Sequence, residues 1–225
     1  MTELEPPDLP PPAGTPAGRS IFLVGPMGSG KSAVGKALAR LRGQRFVDSD
    51  AEIERRTGVD ISYIFEREGE AGFREREREV LDDLTRWPGI VLATGGGAIL
   101  LPENRRHLAE RGVVVYLEAS IAQQVERTQH GRHRPLLLNT DPAARLAELL
   151  AIREPLYREI AHLVVSTDRR RVQSVAEHIV ASIDGPAPPP AAGPAAGDAG
   201  DAGDAGDAGD DGKHGCPGPG GGVKL

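Results

Sequence analysis

Cysteine is all but missing from this chain: among 225 residues it occurs once, as Cys216, so the fold holds neither an internal disulfide nor a cysteine-rich metal site. Such usage fits a reducing cytoplasm. Long apolar runs are missing too, and none approaches the roughly 20 residues that a membrane-crossing helix needs. The first residues, MTELEPPDLPPP, lack the basic-then-apolar order of a secretory leader. The expectation is a soluble, cytoplasmic protein with no membrane partner.

A basic surplus is also absent. The net charge is -6, of which residues 1–18 carry -3 and residues 185–225 carry -4, leaving +1 for everything between. A nearly neutral centre offers no clustered basic face, so nucleic acid is not an expected partner.

What the chain does contain is unevenly placed. Its 29 glycines and 19 prolines crowd the first 18 residues and the stretch after Asp184. This divides the sequence into a disordered N-terminal segment (1–18), one catalytic domain (19–184) and a disordered acidic tail rich in Gly, Asp, Ala and Pro (185–225). Within the tail, Gly-Asp-Ala triplets from Gly197 to Ala208 suit a flexible tether better than a collagen helix.

Between Arg19 and Asp184 short β-branched runs alternate with helical patterns. Strands are predicted at Ser20 to Gly25, Arg45 to Asp48, Ile90 to Thr94, Val113 to Glu118 and His162 to Ser166. Their almost wholly apolar character predicts burial on both faces of a parallel sheet. Helices are predicted at Lys31 to Arg42, Ala51 to Arg56, Ala71 to Thr85, Pro102 to Arg111, Ser120 to Gln129, Pro142 to Tyr157 and Val172 to Ile183. In the first of these Val34, Ala37, Leu38 and Leu41 recur at helical spacing, and Gly43 supplies a stop.

Residues Gly25 to Ser32, GPMGSGKS, fulfil GxxxxGK[ST] between the first strand and the first helix, the context in which the motif cradles phosphate. Glycines let successive N–H groups face phosphate oxygens, and the helix N-terminus adds partial positive charge. Gly28, Ser29, Gly30 and Ala33 belong to this nucleotide cradle; Lys31 reaches the β and γ phosphates, and Ser32 ligates Mg²⁺. The motif by itself does not separate kinases from GTPases, ATPases or transport motors.

Asp48 and Asp50 follow the second strand at the sheet's ligand edge. Asp48 is a candidate for the Mg²⁺ shell and Asp50 for accepting an acceptor hydroxyl's proton. A second reading stays open: Ser49 with Glu52 forms a capping box, and Asp50 merely complements a helix dipole.

Gly95, Gly96 and Gly97 follow the third strand, and three glycines exceed what a turn requires, so something approaches that backbone closely. The alternating run Arg74 to Glu79 reads mostly as a solvated helix face. Arg74 and Arg153 together are candidates for clamping a carboxylate through their guanidinium forks. The polar stretch from Arg127 to Asn139, with Arg132 and Arg134, reads as a mobile lid that excludes water from phosphoryl transfer. His130 and His133 have no nearby carboxylate or cysteine, which argues against a metal pair.

These segments, in order, carry a resemblance. IFLVGPMGSGKS, FVDSD, IERRTG, FREREREVL, VLATGGGA, GVVVYLE, RPLLL and REPLYRE resemble shikimate kinases from about Ser20 to Ile183. The resemblance implies an α/β, three-layer P-loop NTPase fold, with a five-stranded parallel sheet flanked by helices and a mobile lid. It also implies phosphate transfer from ATP, with Mg²⁺, to the 3-hydroxyl of shikimate in aromatic amino-acid biosynthesis. By the same resemblance shikimate meets Asp50, Arg74, Arg153 and Gly96, flanked by Gly95 and Gly97, while Asp48 serves the magnesium side. The lid arginine falls on Arg134, and a late arginine near the adenine falls on Arg170, with Arg169 and Arg171 adjacent. Ala33 departs from the family's usual GKST, at a position where only the backbone N–H is needed. A monomer acting on ATP and shikimate is implied. The alternatives are a kinase for gluconate or a nucleoside monophosphate, and a nucleotide-dependent binding module.

Overall fold

The computed structural model describes residues 18–129 and 141–184. The predicted disordered segments, apart from Gly18, and the predicted lid from His130 onward, with Arg132, His133 and Arg134, lie outside them; the lid's first residues, Arg127 and Thr128, end the helix Ile121–Thr128 instead of opening a loop. The chain divides into one unit, Met1–Ala187, and a second, Pro188–Leu225; every described residue belongs to the first.

Five strands, β1 (Ile21–Val24), β2 (Arg45–Asp48), β3 (Ile90–Ala93), β4 (Val113–Glu118) and β5 (Leu163–Ser166), form one parallel sheet in the order β2-β3-β1-β4-β5. All five fall within a residue of their predicted bounds. Burial on both faces holds for β1, β3 and β4, but the edge strands β2 and β5 expose part of their length, because each has only one neighbour.

Among the described residues, helical spans α1 (Lys31–Arg42), α2 (Ser49–Thr57), α3 (Ile61–Leu84), α4 (Pro102–Arg111), α5 (Ile121–Thr128), α6 (Pro142–Ile160) and α7 (Val172–Asp184) cover the sheet. Alternate residues of β1 point to opposite faces, as extended backbone requires. Phe22 and Val24 join Leu81, Leu84, Leu108 and Tyr157 in one apolar cluster, supplied by α3, α4 and α6. Ile21 and Leu23 join Val34, Leu38, Val175 and Ile179 in another, supplied by α1 and α7. Helices on both faces of a parallel sheet give the expected three layers. Among the described residues, no helix is long and apolar enough to cross a membrane.

Three local expectations need correction. Leu41 is 45% exposed, because the buried stripe of α1 runs through Val34, Leu38 and Ala39 and leaves the last turn in solvent. The span of α3 is two helices meeting at Gly69, whose φ of 70° and ψ of -174° are non-helical; the second accords with the predicted Ala71 to Thr85, and the first, which the sequence reading lacks, starts at Ile61 and is capped by Asp60, which accepts from Tyr63 N–H at 2.7 Å. The capping box does not form. Asp48 caps α2 instead, accepting from Asp50 N–H at 3.1 Å, while Ser49 Oγ accepts from Gly95 N–H at 3.0 Å and Glu52 is taken by Arg55 and Arg56 at 2.8 Å.

Candidate active site

Strand order reverses at β1, which has β3 on one side and β4 on the other, and the crevice at such a switch point is where open α/β sheets bind ligands. The loop leaving β1 turns into α1 at Gly30, whose φ of 87° is one that L side chains rarely adopt. Lys31 then stands at the head of α1, and its Nζ donates to the carbonyls of Gly25 at 2.8 Å and Pro26 at 2.9 Å. Both acceptors belong to the same loop, so the ammonium is held over the cradle.

A cavity of about 540 Å³ opens there. From the predicted set it is lined by Gly28, Gly30, Lys31, Ser32, Ala33, Asp48, Asp50, Arg74, Gly95, Gly96, Gly97 and Arg153. Residues that lie more than 100 positions apart in the chain thus share one wall. Ser32 Oγ donates to Asp48 Oδ2 at 2.7 Å, setting a hydroxyl and a carboxylate side by side. These are the hard oxygen donors that a small divalent cation takes. No group of three or more His, Cys, Asp or Glu among the described residues is placed to hold a metal unaided, so such an ion would complete its shell from water or substrate oxygens.

The carboxyl of Asp50 is strongly perturbed. Burial first, then the neighbouring charges of Glu77 and Asp48, push its carboxyl up to about 7, against the weaker opposing pull of Lys31 and Arg74. Its Oδ1 is buried with no hydrogen-bond partner, an acceptor left for something outside the protein. Arg74 donates to Glu77 at 2.6 Å and to Glu70 at 2.9 Å. Arg153 is 6% exposed and faces the same cavity from α6.

Two of the three glycines, Gly95 and Gly97, owe their identity to these side chains rather than to a turn, whereas Gly96 has ordinary room for a Cβ. A Cβ on Gly95 would stand 2.5 Å from Glu77 Oε1 and 2.7 Å from Asp50 Oδ1, and one on Gly97 would enter the Arg74 guanidinium. On Gly96 it would approach Met27 N at 3.5 Å and Arg153 at 3.8 Å.

Two predicted nucleotide residues are not brought to the cavity. Ser29 is fully buried beneath the loop and donates its N–H back to Pro26 O at 3.2 Å. Arg170 is exposed in the turn after β5 and does not line the wall, because its backbone closes that turn on Thr167 O. Arg134 falls outside the described residues.

Of the wall residues outside the predicted set, Glu77 and Arg127 bear most on the site. Glu77 was read as part of a solvated charged run, yet it is 0% exposed and burial raises its pKa. A signal existed: Phe73, Glu77, Val80, Leu81 and Leu84 fall on one helical face, and all five are buried. Arg127 donates to Gly28 O at 3.1 Å and to Thr167 O at 2.9 Å, tying the phosphate loop to the end of β5. Nothing local in the sequence announces that contact.

The shikimate kinase family model matches residues 27–184. A shikimate kinase of Halorhodospira halophila is 58% identical over 165 residues, covering 73% of this chain and 93% of that protein. One from Methylococcus capsulatus is 56% identical over 162 residues, covering 72% and 90%. Among solved structures, shikimate kinase from Acinetobacter baumannii in complex with shikimate is 50% identical, with a TM-score of 0.72 over 73% of this chain and 92% of its own. The Bacteroides thetaiotaomicron enzyme, 30% identical, has a TM-score of 0.68 over 74% and 98%.

Proposed function

The chain belongs to the shikimate kinase family, and from that premise we infer that it transfers the γ-phosphoryl group of ATP to the 3-hydroxyl of shikimate, giving shikimate 3-phosphate and ADP. The observation that carries the reading is the single cavity that Lys31, Asp50, Arg74 and Arg153 share.

ATP lies with its phosphates on the loop of Gly28, Gly30 and Ala33 and against the N-terminus of α1, where backbone N–H groups and the helix dipole favour negative charge. Lys31 leaves the loop carbonyls for the β and γ phosphate oxygens. Ser32 and Asp48 are the residues that would hold Mg²⁺, and such an ion would supply positive charge beside the phosphates. Arg134, outside the described residues, is the residue that the family resemblance assigns to add positive charge on the same group.

Shikimate enters with its carboxylate between Arg74 and Arg153, and with its ring against the backbone of Gly95 to Gly97. Asp50 accepts a hydrogen bond from the 3-hydroxyl and takes its proton as the oxygen attacks phosphorus. A carboxyl near 7 is suited to this, since a general base works best with a pKa close to the operating pH. The reading is of a monomer acting on small molecules in a cytoplasmic step of aromatic amino-acid biosynthesis.

ADP release measured with shikimate, gluconate and a nucleoside monophosphate offered separately tests this. Turnover with shikimate alone, abolished in Lys31→Ala and strongly depressed in kcat by Asp50→Asn, is the expected result. Turnover with gluconate or the nucleotide in its place overturns the acceptor, and turnover with none favours a nucleotide-dependent binding module.

A further inference from the structure

Tyr157 stands one helical turn beyond Arg153 on α6, within REPLYRE, and has no part in the chemistry above. Its side chain is 0% exposed, and its ring stacks on Tyr116 of β4 at 5.1 Å between centroids. Burial drives its phenol far above the ordinary tyrosine range, so the group is a donor at any working pH.

That donor has an acceptor in the carbonyl of Gly96, to which Tyr157 Oη donates at 2.5 Å. The Arg153 guanidinium lies beside the same phenol oxygen and opposes the effect of burial on it. One hydroxyl therefore touches both a cationic wall residue and the backbone of the triple glycine.

Gly96 and Gly97 line the cavity, whereas Tyr157 lies behind it. In a trans peptide the C=O and the following N–H point in opposite directions. With the Gly96 carbonyl turned back to the phenol, the Gly97 N–H is turned towards the cavity. The local turn does not use that N–H, since Ala98 and Leu100 are the donors back to Gly95 and Gly97.

We propose that Tyr157 is a positioning residue for the acceptor: its hydroxyl fixes the Gly96–Gly97 peptide and the Arg153 guanidinium in register, so that both meet the same anionic group. This rests on the carboxylate-clamp reading of the site. Tyr157 touches no reacting atom, and its effect falls on acceptor binding, not on ATP.

Tyr157→Phe keeps the ring, its packing and its stacking while deleting the donor. Loss of one buried hydrogen bond to a binding element raises the shikimate KM roughly tenfold, with kcat and the ATP KM changed by less than about twofold. Tyr116→Phe, which deletes the hydroxyl of the stacked partner, is the control and leaves the shikimate KM unchanged. An unaltered shikimate KM in Tyr157→Phe overturns the proposal. So does a parallel rise in both KM values with a lowered Tm, which marks a purely structural hydroxyl. If the wild-type chain fails to turn over shikimate at all, the fault lies with the functional reading and not with Tyr157. Titration of shikimate binding to the Tyr157→Phe protein without ATP then decides the matter: weakening relative to wild type upholds it, and equal affinity ends it.

Discussion

Asp50 and Glu77 converge on one point above the third strand: the position of a Cβ on Gly95 is 2.7 Å from an oxygen of the first and 2.5 Å from an oxygen of the second. Both oxygens are buried, and neither has a hydrogen-bond partner in the protein. Two carboxyls so placed resist ionising together, which is why Glu77 stands directly behind burial among the causes that raise Asp50.

Gly95→Ala follows from that geometry. The added methyl displaces one or both carboxyls, and a misplacement of about 1 Å at a reacting group costs roughly a hundredfold in rate. We expect kcat to fall by about that factor with the circular dichroism spectrum unchanged. Activity near wild type would show that the pair has room to move.

The pH profile carries a second consequence. Asp50 must be ionised to accept a proton, so kcat/KM for shikimate should climb with pH and level off above about 7, the value to which burial and Glu77 raise it. An inflection near the ordinary aspartate value of 3.8 would remove Asp50 as the base.

Stability should move the opposite way. A carboxyl whose pKa is raised on folding binds more protons in the native state, so stability is fully present below the unfolded value and is lost as pH rises through the folded one. For Asp50 that window runs from 3.8 to about 7, and the upward shift of Glu77 has the same sign. Asp50→Asn should therefore melt several degrees above wild type at pH 8 while being nearly inactive, and the gain should shrink as the pH is lowered through the window. Thermal melts across that range supply the check.

Arg74 serves two ends that a double substitution can separate. Arg74→Ala removes the ion-pair partner of the fully buried Glu77, a change that costs about 3 kcal/mol or more when the stranded charge stays. Adding Glu77→Gln removes that charge. The double variant should recover Tm but keep the raised shikimate KM, because the carboxylate still lacks its fork. Recovery of both would make Arg74 a structural residue only.

Deleting residues 186–225 should leave kcat and both KM values near those of the full chain, since the described residues lining the cavity run from Met27 to Arg153. A large loss would assign the acidic tail a part in catalysis.

Local patterns in the chain were enough for the five strands, the layers, the helices other than the one that starts at Ile61, and the phosphate loop as a motif. Apolar runs of four to six residues and helical spacing are short-range signals, and the phosphate loop is contiguous from Gly25 to Ser32. The acceptor end was legible in part: Asp50, Arg74, Arg153 and the triple glycine stood out as residue types, and resemblance to a family supplied the roles. What only the tertiary structure decided was environment. The alternation Arg74 to Glu79 gives no sign that Glu77 is sealed from water, because that depends on α3 lying against the end of β3. The hydroxyl of Tyr157 meets Gly96 across 61 positions of sequence, and Arg127 meets Gly28 across 99. Burial, and with it the pKa of Asp50, is a property of everything packed around a group, so no local stretch of sequence contains it.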